Sequence, residues 1–362
     1  MNRLERVDNR KRIQRAHTPI LIVVIGLLMM GCDDIPDVVC DEAGTEGLVF
    51  TRVHQTQEGE VEGYEVTGFT GFSRNVVIPA YHNDYPVVRI GNRAFENNQL
   101  TSVTIPDSIT SIEREAFANN QLTNVNIPGS VVIIGDLAFA GNRLANLTLP
   151  NGVTSIGRSA FEQNQLVSAV LPNSVTTIGN LAFANNRLTS VDIPIGVTSI
   201  ERLTFYNNRL TSVSIPGGVT YIGYRAFANN RIGSVTLSRD VTQIGPRAFE
   251  NNQIASIVIP DNVTLIGQSA FERNQLVSVT FGARVTSIGD RAFAQNQLAN
   301  VVIPGSVTAI GRWAFAWNPT LETIRIPFTS RAMADRAWRT GWRSDVGVAV
   351  AIINNRGEIV LN

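Results

Sequence analysis

The chain has 362 residues, 44% of them hydrophobic and 17% charged, which is enough apolar material for a large core at a low charge density. Its 30 basic and 30 acidic side chains cancel; setting aside the six basic and two acidic ones in residues 1–31 leaves 24 against 28, a balance that argues against nucleic acid as a partner. Both cysteines (Cys32, Cys40) and all three histidines (His17, His54, His82) lie at the N-terminal end, so no disulfide framework and no cysteine-based zinc site is expected farther along.

Residues 1–18 are basic and polar, and Pro19–Met30 is an apolar run of 12 residues. That is well short of the roughly 20 residues needed to cross a bilayer as a helix. A basic start, a short apolar run and a small residue before the cut read as a secretory signal. Gly31-Cys32 at the boundary resembles a bacterial lipoprotein signal, although Met29 stands where leucine is most usual. That resemblance implies removal of residues 1–31 and lipids on Cys32, making the protein anchored to a membrane without spanning it. An ordinary signal peptide with a chance cysteine is the alternative. Residues 32–47 then form an acidic tether carrying Asp33, Asp34, Asp37, Asp41, Glu42 and Glu46.

Residues 48–92 read as an N-terminal cap and a first partial repeat. Beyond them a phenylalanine recurs every 22 residues, eleven times, from Phe95 to Phe315. An asparagine follows each by three residues, from Asn98 to Asn318. An invariant period of this length is the signature of a solenoid, in which each unit stacks on the last. Within a unit, L-T-S-V-x-I alternates apolar and polar residues, as expected of a half-buried strand. A proline usually ends it, as at Pro106, Pro194 and Pro304. A second short strand follows, as in Val153-Thr154-Ser155-Ile156, and then a glycine turn. The remaining x-x-A-F-x-x-N is long enough for one or two helical turns. The expected class is therefore an α+β solenoid of about eleven 22-residue repeats over residues 93–327, each with two short strands and a short helix. Its stacked phenylalanines form a spine, and its asparagines bond backbone groups that the turn leaves open.

These residues resemble the BspA-like, or Treponema pallidum type, leucine-rich repeats, whose pattern runs L-x-x-(V/I)-x-(I/L)-P-x-x-(V/L)-x-x-I-G-x-x-A-F-x-x-(C/N). Leu122–Phe139 shows it as L-T-N-V-N-I-P-G-S-V-V-I-I-G-D-L-A-F. The resemblance covers about residues 62–327. It departs from the family in having asparagine where cysteine is frequent, and in a unit of 22 residues in place of the commoner 23. It implies a secreted or surface-anchored bacterial protein associated with adhesion to host or matrix proteins and to other bacteria.

Three surfaces could bind. The outward strand face carries Ser168, Ser190, Ser212, Ser234, Ser256 and Ser278 in register, a hydrogen-bonding face suited to an extended protein or glycan. Arg187, Arg209 and Arg231 repeat four residues after phenylalanine in adjacent units, where like charges repel unless an anion lies across them. The C-terminal end holds all four tryptophans (Trp313, Trp317, Trp338, Trp342). Residues 328–362 read as a cap, with a helix over 328–342 and a hairpin from Val346–Ile353 and Glu358–Leu361. Glu96, Glu162, Glu250 and Glu272 share the position after phenylalanine, but no nucleophile motif, phosphate loop or metal spacing accompanies them. The expectation is a non-catalytic, cofactor-free envelope protein binding an unidentified protein or glycan, with a periplasm-facing scaffold as the alternative.

Overall fold

The computed structural model describes residues 44–53 and 63–325, and the backbone of two short strands at 351–353 and 359–360. Cys32, Cys40, the signal of residues 1–31, residues 32–43 of the tether expected over 32–47, and the helix expected over 328–342 lie outside the described residues. Residues 44–47 join the folded part, with Thr45 N bonding Val77 O at 3.0 Å and Gly47 O accepting from Thr70 N at 2.9 Å.

Chain entry is a small sheet. β1 (Leu48–Val53) pairs antiparallel with β2 (Gly63–Phe69), and β2 pairs parallel with β5 (Tyr85–Ile90). Between them, β3 (Asn75–Val77) pairs with Ser102–Thr104, and β4 (Tyr81–His82) folds back on β5. From β5 onward the chain coils. The V-T-x-I segments form two-residue parallel strands stacked through Ser111–Ile112, Ile133–Ile134, Ser155–Ile156 and Thr177–Ile178. A second such sheet runs from Ser199–Ile200 to Ala309–Ile310. Parallel register places identical positions over one another, so Ile156 sits between Ile134 and Ile178. The L-T-S-V segments pair two coils at a time, for example Ser212–Ser214 with Ser234–Thr236.

The core is one continuous column. Phe95 to Phe315 are all essentially buried, and consecutive rings lie 5.1–5.7 Å apart, within 13° of parallel. At that separation parallel rings are offset, the arrangement their quadrupoles favour. Leu188, Val197 and Ile200, with their equivalents in other coils, fill the rest of the section.

Each asparagine three residues after phenylalanine closes the turn. Asn208 Nδ2 donates to Phe183 O of the preceding coil (2.9 Å) and to Phe205 O of its own (3.3 Å). Its Oδ1 accepts from Leu188 N at 3.0 Å. The same set recurs from Asn120 to Asn318. These amides are buried; each phenylalanine carbonyl is shared by two of them, whereas each leucine N–H has one, so loss of a single asparagine buries an N–H unpaired.

The expected helix does not form. No described residue is helical. The x-x-A-F-x-x-N segment instead has left-handed residues two before and two after phenylalanine, as at Leu203 (φ 60°) and Asn207 (φ 53°). A right-handed helix cannot pass through such residues. Their geometry turns N–H groups along the solenoid axis: Leu203 N, Phe205 N and Asn207 N bond Tyr224 O, Ala226 O and Ala228 O of the next coil at 2.9–3.0 Å. A leucine held at positive φ costs about 1–2 kcal/mol, which three inter-coil bonds per turn offset. Where glycine follows the second strand the coils approach closely, since a Cβ on Gly179 would lie 2.6 Å from Arg158 N of the preceding coil, although Glu113 and Glu201 hold the same position in two other coils.

Strands are added at both ends. Phe69 leans on Phe95 (5.8 Å), covering the first ring of the spine. At the other end Ala351–Ile353 pairs parallel with Thr323–Arg325 and antiparallel with Ile359–Val360.

The first coils carry an ion-pair cluster in which Arg93 and Arg114 bond the Glu115 carboxylate. Arg93, chiefly, holds that carboxyl below its usual range, against the opposing effect of burial. A depressed folded-state pKa gives stability that is present above the unfolded carboxylate pKa and is lost as pH falls through the folded one. Glu115→Gln should therefore flatten part of the acid limb of thermal stability measured between neutral pH and pH 3.

Phe205→Ala should cost about 3–5 kcal/mol. Asn208→Ala should cost about 2 kcal/mol through the buried Leu188 N–H it strands, whereas exposed Asn207→Gln, a residue that Gln163 shows at the same left-handed position of another coil, should stay within about 0.5 kcal/mol. Urea unfolding of the three variants checks the order. Equal effects at 207 and 208 would refute the asparagine ladder.

Candidate functional site

Two of the surfaces expected from sequence can be placed. Ser168, Ser190, Ser212, Ser234, Ser256 and Ser278 are all exposed on one side of the coils. Ser212 is in register with Ser234, and Ser256 with Ser278, while Ser168 Oγ donates to Asn146 Oδ1 at 2.8 Å. Ser190 belongs to a coil whose outer segment is not a strand. Ser256 borders a hollow of about 440 Å³ with Leu237 and exposed Val258, where Ser238 replaces the strand-ending proline. The serine row is polar and is flanked on the same outward face by exposed Val170 and Val258.

The arginines line something different. Arg187, Arg209 and Arg231 edge a groove of about 540 Å³ together with Asn185, Asn207, Asn229 and Asn251. The turn conformation builds it. Left-handed geometry at the residue two after phenylalanine (Asn185, φ 58°; Asn229, φ 57°) lifts that side chain to the surface, and the buried ladder asparagine then fixes the next residue, the arginine. Because the turn is stacked without slip, four amides and three guanidiniums form two parallel rows. The advance per coil, read from the rings beneath, is 5.7 Å from Phe183 to Phe205 and 5.4 Å from Phe205 to Phe227.

Within the rows the amides are linked. Asn207 Nδ2 donates to Asn185 Oδ1 (2.9 Å) and Asn251 Nδ2 to Asn229 Oδ1 (3.0 Å). Asn229 Nδ2 reaches Tyr206 Oη at 3.0 Å, and Asn185 Nδ2 reaches Glu162 Oε1 at 3.3 Å. The three arginines are exposed and, among the described residues, have no carboxylate partner. Neighbouring guanidiniums anchored one coil apart fall within the Debye length of about 8 Å at physiological ionic strength, so they repel. The groove is a cationic, hydrogen-bonding track.

The amide row was missed in the sequence, where asparagine three after phenylalanine drew attention and asparagine two after it did not. Its signal was present: Asn185, Asn207, Asn229 and Asn251 are consecutive, and they coincide with the arginine run. The conformation does not demand asparagine, since Gln163, Arg273 and Trp317 adopt it in other coils.

The shared glutamates are occupied elsewhere. Glu250 pairs with Arg225 (3.4 Å), Glu272 accepts from Gln295, and Glu96 lies against Arg93 (3.6 Å). Among the described residues no group of His, Cys, Asp or Glu could hold a metal ion, and no helix is long and apolar enough to cross a membrane. Of the tryptophans, Trp313 and Trp317 are described. Arg291 lies over both rings, at 4.8 and 5.8 Å, and Trp317 is half exposed.

A stacked, strand-lined coil with one aromatic spine and open polar rows defines a leucine-rich repeat solenoid. The profile of the BspA type leucine rich repeat region matches residues 88–209 and 198–322, in six copies, and the chain belongs to that family. Among solved structures it is similar to a leucine rich cell surface protein from Faecalibacterium prausnitzii A2-165, at 26% identity over 79% of this chain and 89% of that one, TM-score 0.45. It is also similar to a leucine-rich repeat protein from Bacteroides ovatus (22% identity, 84% and 98% covered, TM-score 0.44) and to the pneumococcal vaccine antigen PcpA (18%, 78% and 81%, TM-score 0.48). A search of the curated proteins found no match.

Exposed like charges make a testable electrostatic prediction. Replacing Arg187, Arg209 and Arg231 together by glutamine should leave the melting temperature unchanged in high salt and equal or slightly higher in low salt. Scanning calorimetry against ionic strength measures this; a fall of several degrees at both ionic strengths would mean the arginines hold the fold together.

Proposed function

We propose that this protein is a non-catalytic binding module of the bacterial cell envelope, anchored by lipids on Cys32 and presenting its solenoid to the outside as an adhesin or protein-interaction surface. The observation that carries the reading is the division of labour within each coil. Phenylalanine, leucine, valine, isoleucine and the ladder asparagine are consumed by packing, while one row of serines and one row of arginines are left exposed in register. Such surfaces grow with repeat number and suit extended ligands. Membership of the BspA type family supports the same reading, as does the engagement of the shared glutamates in structural contacts.

The test has two arms. The chain without residues 1–31, with Cys32→Ser, should retain at least one immobilised extracellular-matrix protein at micromolar concentration; no retention from a panel of such proteins would overturn the adhesion reading. Intact cells treated with protease should lose the protein, and lipid labelling should be abolished by Cys32→Ser. Survival under protease would favour a scaffold facing the periplasm.

A further inference from the structure

We infer that the groove along Asn185–Asn251 is a binding track for a linear anionic polysaccharide, with Arg187, Arg209 and Arg231 meeting its acidic groups and the asparagine row meeting its hydroxyls. The assignment rests on the reading of the chain as an envelope binding protein, and narrows it to one face and one ligand chemistry.

Charge comes first. The position four after phenylalanine is glutamine in most other coils, including both neighbours of the run, Gln165 and Gln253. Glutamine therefore satisfies the fold there, and three successive arginines are a local departure from what packing requires. They are exposed and lack acidic partners among the described residues, so their mutual repulsion is relieved when an anion lies across them. The cationic stretch ends at both sides, which sets a site about three coils long. At 5.4–5.7 Å per coil the guanidiniums advance at about the pace of successive sugar rings in an extended chain. Their long stems let each reach an acid on either side of the chain.

The amide row decides between polyanions. Asn185 and Asn229 accept from Asn207 and Asn251, which leaves the Oδ1 atoms of Asn207 and Asn251 without a donor among the described residues. Free acceptors beside a cationic row call for a ligand that carries donors as well as negative charge. Sugar hydroxyls supply them. An acidic peptide in extended form would look for main-chain partners, but the N–H groups here are spent. Arg187 N, Arg209 N and Arg231 N bond Leu166 O, Leu188 O and Leu210 O, and Asn185 N, Asn207 N and Asn229 N bond the next coil. Single-stranded nucleic acid would need stacking platforms; the residues lining the groove include no aromatic ring, and the neighbouring Tyr206 is engaged by Asn229 through its hydroxyl.

Isothermal titration of the chain without residues 1–31 (Cys32→Ser) with a heparin-derived octasaccharide tests the assignment. Micromolar binding that weakens steeply with salt is expected, together with no binding of a neutral dextran of equal length and at least tenfold weaker binding of hexaglutamate. Arg187→Gln/Arg209→Gln/Arg231→Gln should lose at least tenfold in affinity at unchanged melting temperature, because glutamine is native to that position in other coils. Asn207→Ser should lose severalfold while keeping the wild-type salt dependence, which separates hydroxyl contacts from charge. Wild-type affinity in the triple variant, absence of octasaccharide binding at millimolar concentration, or hexaglutamate binding as tight as the glycan would each overturn the proposal. If the wild-type chain captures matrix proteins but does not bind the octasaccharide, the groove assignment fails alone. If protease leaves the protein intact on cells while the octasaccharide binds in the calorimeter, it is the surface reading that fails.

Discussion

Every coil of this solenoid depends on an amide that belongs to two coils at once. Asn208 takes the N–H of Leu188 from the coil before it, and gives its own hydrogens to Phe183 and Phe205. The bond set cannot be completed within one 22-residue unit, because two of its four partners, Leu188 N and Phe183 O, lie in the preceding one. The phenylalanine beneath is bound by the same condition. Its ring has a parallel ring on either face only when both neighbours are present. Nearest-neighbour dependence of this kind is what makes a repeat array cooperative. It also explains the strict period: a coil of different length would displace its asparagine from the preceding leucine N–H.

The turn shows how far inter-coil bonding can override local preference. Leucine at 137, 181 and 203, and tryptophan at 313, all sit at φ near 60°. None would choose that conformation alone. The leucines accept it because it aims three N–H groups per coil at the carbonyls of the next one, and a helical turn would bond them inward. The surface grooves are by-products of the same geometry. Wherever a left-handed residue raises a side chain beside the fixed position that follows the ladder asparagine, two parallel rows appear. What those rows can bind depends on which residues fill them.

That separation of roles is why function is concentrated where the repeats differ. Buried positions are nearly invariant within the chain, since each must match the one above and below. Surface positions are free, so a run such as Arg187, Arg209 and Arg231 between Gln165 and Gln253 marks where selection other than packing can act. Binding by such a surface depends on several coils at once, as is usual for repeat proteins.

The amino-acid sequence by itself determined the solenoid, its period, the phenylalanine spine and the asparagine ladder. Those follow from side-chain chemistry repeated at fixed spacing, and a buried ring or amide can be satisfied in few ways. The serine and arginine rows were legible for the same reason, since in-register stacking turns a spacing of 22 into a line. Tertiary structure alone decided the turn. Nothing in x-x-A-F-x-x-N distinguishes a helical turn from alternating left- and right-handed residues, because the choice is made by hydrogen-bond partners 21 residues away, as Phe205 N on Ala226 O shows. The groove was hidden with it: Asn185, Asn207, Asn229 and Asn251 read as solvated turn residues until the left-handed backbone set them beside the arginines.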